Sequence, residues 1–200
     1  MSEHYFSQQP QSKSSPKTWN YQLREKEFTF TSDYGVFSKN EVDFGSRLLI
    51  SQFKRSEVPG TILDLGCGYG PIGLAIAATY SHCEVVAADV NERAIELAEQ
   101  NAIQNNVKNI TFVKSDRFSN LTKYSFASIV TNPPIRAGKK VVHAMIEESK
   151  PALCQNGELW VVIQKKQGAP SAKEKMMKVF GNAEVVSKDK GYYLLKAINV

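Results

Sequence analysis

Apolar residues along the 200-residue chain change period several times, and each change marks an element. Two short alternating runs, Trp19–Leu23 and Phe28–Thr31, flank Arg24-Glu-Lys-Glu27 and predict a hairpin or a pair of edge strands. Asp43–Phe53 carries Phe44, Leu48, Leu49 and Phe53 at helical spacing. After the break at Pro59-Gly60, aliphatic runs alternate with helical patterns. Strands are predicted at Thr61–Leu65, Glu84–Asp89, Ile110–Val113, Phe126–Thr131 and Glu158–Gln164. Helices are predicted at Pro71–Tyr80, Asn91–Asn105, Lys139–Leu153 and Ser171–Phe180. Pro71 falls in a first turn, where its missing N–H costs nothing, and Asn91 is a natural cap.

Such alternation implies right-handed crossovers and a mostly parallel sheet. Two further strands, Ala183–Ser187 and Tyr192–Ile198, are joined by a tight Lys-Asp-Lys-Gly turn. They are too close for a helical crossover, so they pair as a hairpin and the final strand is antiparallel. The prediction is an α/β sheet of about six parallel strands closed by an antiparallel seventh. Residues 1–18 are polar and low in aliphatics, and are expected to be a tail, partly ordered at most. Residues 19–200 then form one domain: an N-terminal β appendage and first helix over 19–58, and the core over 59–200.

Composition narrows the class more than the function. The net charge of +5 permits a polyanionic partner without demanding one. The three cysteines, Cys67, Cys83 and Cys154, show no disulfide framework, and no Cys/His cluster has metal-site spacing, so no metal is expected. Reduced thiols fit a cytoplasmic protein. The first twenty residues lack an apolar signal region, and no apolar run is long enough to span a bilayer.

The chemistry concentrates at the ends of two predicted strands. Asp64-Leu-Gly-Cys-Gly-Tyr-Gly70 leaves the first core strand, where ligands of such sheets bind. Gly66, Gly68 and Gly70 let the backbone turn and approach a ligand closely. Gly68-Tyr-Gly-Pro-Ile-Gly73 with Asp89 also fits a dinucleotide fingerprint, so the loop alone does not separate NAD from S-adenosylmethionine. Asp64, just before the glycines, would repel a pyrophosphate but can orient a cationic ligand's amino group through loop waters. Asp89, followed by Val90, ends the second strand, where a carboxylate can accept both ribose hydroxyls. Asp116 follows the third and could accept from an adenine amine, or be a solvated loop acid. Cys67 reads as a small residue in a tight turn.

Asn132-Pro-Pro-Ile135 ends the fourth core strand. A planar exocyclic amine is a poor nucleophile, and it needs acceptors for its N–H groups as positive charge develops. The Asn132 side chain and the Pro133 backbone each offer a carbonyl, and Pro133 with Pro134 stiffens the segment. Asn132 also lies beside the cofactor's place. Arg136, Lys139 and Lys140 follow at once, and Lys165 and Lys166 follow the fifth strand. All would sit on one sheet edge, able to grip phosphates or simply to form a solvated rim.

The chain resembles class I S-adenosylmethionine-dependent methyltransferases, and more narrowly the RsmC-like ribosomal RNA guanine-N2 methyltransferases. The match runs through Gly35-Val-Phe-Ser38, Ile62–Gly73, Asn132–Lys139 and Gly157–Gln164. The resemblance implies a Rossmann-like seven-stranded fold with helices on both faces. It implies S-adenosylmethionine over Gly66, Gly68 and Gly70, with Asp89 on the ribose and Asp116 near the adenine. It puts the target amine at Asn132 and Pro133, with Phe37 bordering the pocket. Many amino methyltransferases carry an aromatic residue after the two prolines, where this chain has Ile135. The substrate expected is guanine N2 of small-subunit ribosomal RNA, with a flipped or single-stranded base. A protein glutamine or small-molecule acceptor is the alternative, and an RNA-binding module is the non-enzymatic one.

Overall fold

The computed structural model describes residues 14–36, 41–134, 136 and 138–200. Two N-terminal strands, β1 (Lys17–Leu23) and β2 (Lys26–Ser32), pair antiparallel with Trp19 opposite Phe30 and Tyr21 opposite Phe28. Arg24 turns between them with φ 52°. Its guanidinium donates to the carbonyls of Ile50 and Phe53, closing the C-terminal end of α1 (Phe44–Gln52).

The core sheet is built from β3 (Thr61–Leu65), β4 (Val85–Asp89), β5 (Ile110–Lys114), β6 (Phe126–Thr131), β7 (Leu153–Gln164), β8 (Glu184–Asp189) and β9 (Tyr192–Ile198). Its order is β5-β4-β3-β6-β7-β9-β8. Neighbours are parallel as far as β7, and β9 runs antiparallel to both β7 and β8. This is the expected seven-stranded, mostly parallel sheet with an antiparallel last strand, and β9 inserts between β7 and β8.

Side chains alternate across the sheet, as strand geometry requires. Trp160 and Val162 of β7 join Val130 and Leu194 on one face, under α1, α2 (Pro71–Thr79) and α3 (Glu92–Gln104). Leu159, Val161 and Ile163 join Ile129 and Leu195 on the other, under α4 (Lys139–Ala152) and α5 (Ala169–Phe180). The chain leaves β3 toward β4 and leaves β6 toward β7, so a crevice opens at the carboxyl ends of β3 and β6.

Most boundaries shift by a residue or two from the sequence expectation, and the shifts around β7 and α5 have clear causes. α4 stops one residue short of Leu153, with Pro151 in its last turn, and β7 begins at Leu153 rather than Glu158. The extra length includes Gly157, where a Cβ would come within 3.0 Å of the Phe126 carbonyl oxygen. α5 starts at Ala169, because Gly168 takes a left-handed cap and Pro170 fits the first turn.

The N-terminal hairpin forms its own two-stranded sheet and is tied to the core by side-chain hydrogen bonds. The open edge of β2 is met by two asparagine side chains of α3. Asn101 accepts from the Thr31 N–H and donates to the Thr31 carbonyl, at 2.8 and 2.9 Å. Asn105 treats Thr29 the same way, at 2.8 Å each. Residues four apart on a helix thus match residues two apart on a strand, and the edge is capped by amides instead of a third strand.

Candidate active site

A cavity of about 530 Å³ opens in the crevice, within the roughly 300–1,000 Å³ range usual for small-molecule sites. The loop after β3 forms one wall. Gly66 and Gly68 have φ of 77° and 56°, and a Cβ at either would point into open space. A side chain there would meet no protein atom, only the strain of the left-handed backbone and the volume reserved for a ligand. The loop is pinned by the N–H groups of Gly66 and Cys67, both donating to the Ala88 carbonyl at 2.8 and 3.0 Å. Gly70 caps α2 with φ 95° and turns the chain away from the cavity.

Tyr69, between the last two glycines, points the opposite way. It is 2% exposed and wedges against Trp19 and Phe30, with its hydroxyl donating to the Glu41 carbonyl. Its own carbonyl accepts from Asn101 Nδ2. The hairpin, α3 and the glycine loop are therefore one hydrogen-bonded unit.

Asp89, Val90 and Asp116 line the cavity. Asp89 accepts from the N–H groups of Gly68 and Asn91, each at 2.9 Å, so its carboxylate is fixed by backbone. Burial nevertheless pushes its carboxyl above the usual range, against the pull of those N–H groups. Asp116 is exposed and pairs with Arg117 at 3.0 Å. Asp64 lies behind the loop and off the cavity wall. It is fully buried, accepts from the Gly73 N–H at 2.8 Å, and keeps Oδ1 unpartnered among the described residues. Burial, with the Asp89 charge acting the same way, pushes its carboxyl up to about 7. Burial likewise pushes the Cys67 thiol well up, which leaves it unsuited to nucleophilic work.

Asn132, Pro133 and Pro134 line the same cavity. The Thr131 hydroxyl donates to the Leu65 carbonyl at 2.7 Å, which locks the end of β6 to the start of the glycine loop. Asn132 Nδ2 donates to Asp43 Oδ2 at 3.0 Å and to Ser46 Oγ at 3.1 Å. Arg136 lines the cavity, whereas Lys139 is exposed at the start of α4 and is absent from its wall. Phe37 and Ile135 lie outside the described residues.

Among the wall residues that the sequence does not mark as functional are Asp43, Ser46, Gln164 and Tyr192. Asp43 reads there only as a helix start. A clue was available in Gly45, a poor helix former in a first turn. A Cβ on Gly45 would fall 2.9 Å from Tyr192 Cε1, so the glycine admits the tyrosine ring. Burial pushes the Tyr192 phenol up, while its hydrogen bond with Gln164 pulls it back.

The mouth is basic. Lys165 and Lys166 are exposed on a short 3-10 turn, and the Lys165 N–H donates to the Gly191 carbonyl of the β8–β9 turn at 2.7 Å. Lys188 and Lys190 are exposed around the same turn, with Lys188 over the Tyr193 ring and Lys190 over the Phe44 ring. Among the described residues, no helix is long and apolar enough to cross a membrane.

The chain is 59% identical over 201 residues to the uncharacterized protein YbxB of Bacillus subtilis (strain 168), covering all of both chains. It is 28% identical over 194 residues to the ribosomal RNA large subunit methyltransferase G of Streptomyces avermitilis, covering 92% of this chain and 50% of that protein. Among solved structures, the T. thermophilus 16S rRNA N2 methyltransferase RsmC, in complex with AdoMet and guanosine, superposes with a TM-score of 0.82 at 27% identity. The match covers 96% of this chain and 52% of that one. The chain thus spans about half the length of both ribosomal RNA methyltransferases. A family model described as the methyltransferase small domain matches residues 27–196, from β2 to the last strand, and the chain belongs to that family.

Proposed function

We propose that the chain is an S-adenosylmethionine-dependent N-methyltransferase acting on guanine N2 of small-subunit ribosomal RNA. The observation that carries this reading is the cavity that Asn132 and Pro133 share with the glycine loop and Asp89. The site fits the cofactor: the Cβ positions of Gly66 and Gly68 are open, and a backbone-fixed carboxylate ends β4. When bound, S-adenosylmethionine supplies an electrophilic methyl group.

The chain's residues do the rest. Gly66, Cys67, Gly68 and Gly70 shape the loop that carries backbone against the cofactor. Asp89 takes the ribose hydroxyls, and Val90 and Asp116 flank the adenine. Asp64 supports the loop from behind, within reach of a water chain to the amino group. Asn132 and the Pro133 carbonyl accept the N–H groups of the target amine, and Pro134 stiffens them. Arg136, Lys139 and the lysine rim take RNA phosphates. A ribosomal RNA substrate implies a cytoplasmic protein. The likeness to RsmC supports guanine as the base.

The test is transfer of labelled methyl from S-adenosylmethionine to small and large ribosomal subunits from a strain lacking the gene. Nucleoside mapping should find N2-methylguanosine in small-subunit RNA. Label confined to protein and surviving nuclease, or absent from all RNA, refutes the proposal. Asn132→Ala should lower kcat by about 100-fold, the order seen when one transition-state hydrogen bond is lost, with cofactor affinity nearly unchanged. Asp89→Ala should do the reverse, weakening cofactor binding in calorimetry more than turnover at saturation.

A further inference from the structure

We propose that Asp43 and Ser46 are positioning residues that force the Asn132 amide to present its carbonyl oxygen to the substrate and strengthen it as an acceptor. This rests on the reading of Asn132 as the amine's acceptor. Which end of an amide faces which neighbour follows here from an inventory of protons. A carboxylate only accepts hydrogen bonds, so the end of Asn132 against Asp43 Oδ2 is its NH₂. Ser46 spends its one hydroxyl proton on Asp43 Oδ1, at 2.5 Å. Its oxygen then has only lone pairs to offer Asn132, and at 3.1 Å it takes the second Nδ2 proton. Both amide protons are consumed on the α1 side. Oδ1 accepts no hydrogen bond among the described residues, and Asn132 lines the cavity. Turning the amide over would set its oxygen against an anion and forfeit both bonds.

The charge adds to the geometry. Among the described residues Asp43 forms no salt bridge. Its partners are the Ser46 N–H, the Ser46 hydroxyl and Asn132 Nδ2. The nearest cation on α1, Arg47, donates to the Tyr21 hydroxyl and lies over the Phe44 ring. A carboxylate behind the NH₂ polarises the amide and draws electron density toward Oδ1. That oxygen then gains most when positive charge builds on the nitrogen it faces, which favours turnover over ground-state binding.

A helix cap alone would explain Asp43 differently, and the variants separate the two roles. Asp, Asn and Ser are all strong caps for the Ser46 N–H. Asp43→Ser keeps the cap and removes the anion. Asp43→Asn keeps the cap too: the oxygen that takes the Ser46 N–H is also the one facing Asn132, so the new NH₂ falls against the Ser46 hydroxyl oxygen, and the variant removes the charge while leaving an acceptor for Asn132 Nδ2. Both variants should retain the wild-type fold by circular dichroism, and the KM for S-adenosylmethionine should stay within about two-fold. The kcat should fall about 10-fold in Asp43→Asn, which loses only the charge, and about 100-fold in Asp43→Ser, which also loses the acceptor that holds the amide, the upper value being that of losing one transition-state hydrogen bond. A second readout needs no turnover. The Asn132 side-chain amide, assigned in ¹⁵N spectra by its loss in Asn132→Asp, should be protected from hydrogen exchange in the wild type and unprotected in Asp43→Ser. Equal kcat in all three proteins, or unchanged protection in Asp43→Ser, overturns the proposal. If the wild type methylates no RNA, the function proposed above falls, while the exchange measurement still decides whether Asp43 holds the amide.

Discussion

Asp64 holds its carboxylate in a place where ionisation is costly. It is completely buried, receives one backbone N–H, and feels the charge of Asp89 nearby. Its pKa in the folded protein, about 7, lies above its unfolded value near 3.8. Between those values the folded state binds the extra proton, so this group's contribution is full below about pH 4 and is lost as pH rises through 7. The loss is on the order of a few kcal/mol, since each unit is worth about 1.4. The ligand-free protein should therefore melt at a lower temperature at pH 8 than at pH 5, and Asp64→Asn should flatten that difference. Parallel pH profiles for the two proteins in scanning calorimetry would sink this account. The sequence shows Asp64 as an acid before the glycines, and that much is legible from spacing alone. Its isolation is not legible, because the surrounding apolar shell comes from α2 and the neighbouring strands. Asp43 and Ser46 escape for a related reason: 89 and 86 residues separate them from Asn132, and only the fold closes that distance.

At the scale of elements, the asparagine pair on α3 decides whether the hairpin belongs to the core. Asn101 makes three hydrogen bonds with backbone, two to Thr31 and one to Tyr69 in the glycine loop. Replacing it with Ala leaves those buried groups unpaired, each at about 1–3 kcal/mol. We expect Asn101→Ala to lose roughly 2–4 kcal/mol in urea unfolding, with allowance for partial relaxation. Cofactor affinity should fall with it, because Tyr69 loses one of its anchors. A change under about 0.5 kcal/mol, the size of an ordinary surface substitution, would show that the hairpin docks by apolar contact alone. Most strands and helices are legible here from period and punctuation. The docking is not, because an Asn on a helix ordinarily reads as solvent-facing, and Asn101 sits beside Ala98 and Ala102 on the buried face only because β2 supplies its partners. The early start of β7 is hidden likewise, since Leu153 pairs with Phe126, an alignment no local pattern contains.

At the scale of the molecule, the sheet gathers chemistry and charge at one end. The glycine loop, Asp89, Asn132 and the lysine rim all lie beyond the carboxyl ends of parallel strands, and this was readable from order alone once the strands were assigned. The nearness of the β8–β9 turn to Lys165 was not, because it depends on β9 inserting between β7 and β8. If the rim binds phosphates, affinity for ribosomal RNA should fall steeply with salt. Each lost phosphate contact lowers the slope of log affinity against log salt by about 0.7–0.9, so Lys165→Ala with Lys166→Ala should reduce it by about 1–2. An unchanged slope in filter-binding titrations would remove these lysines from the RNA path.

The asparagine clasp also sets an order of assembly. β1 and β2 are synthesised before α3, so Thr31 waits for Asn101, 70 residues downstream. At about 5–20 residues per second that interval is roughly 4–14 s, during which a lone two-stranded hairpin is marginal at best. Trp19 and Phe30 have no Tyr69 to pack on until the glycine loop has also emerged. The hairpin is thus seated only once α3 has been made, and the cofactor loop is finished in the same event.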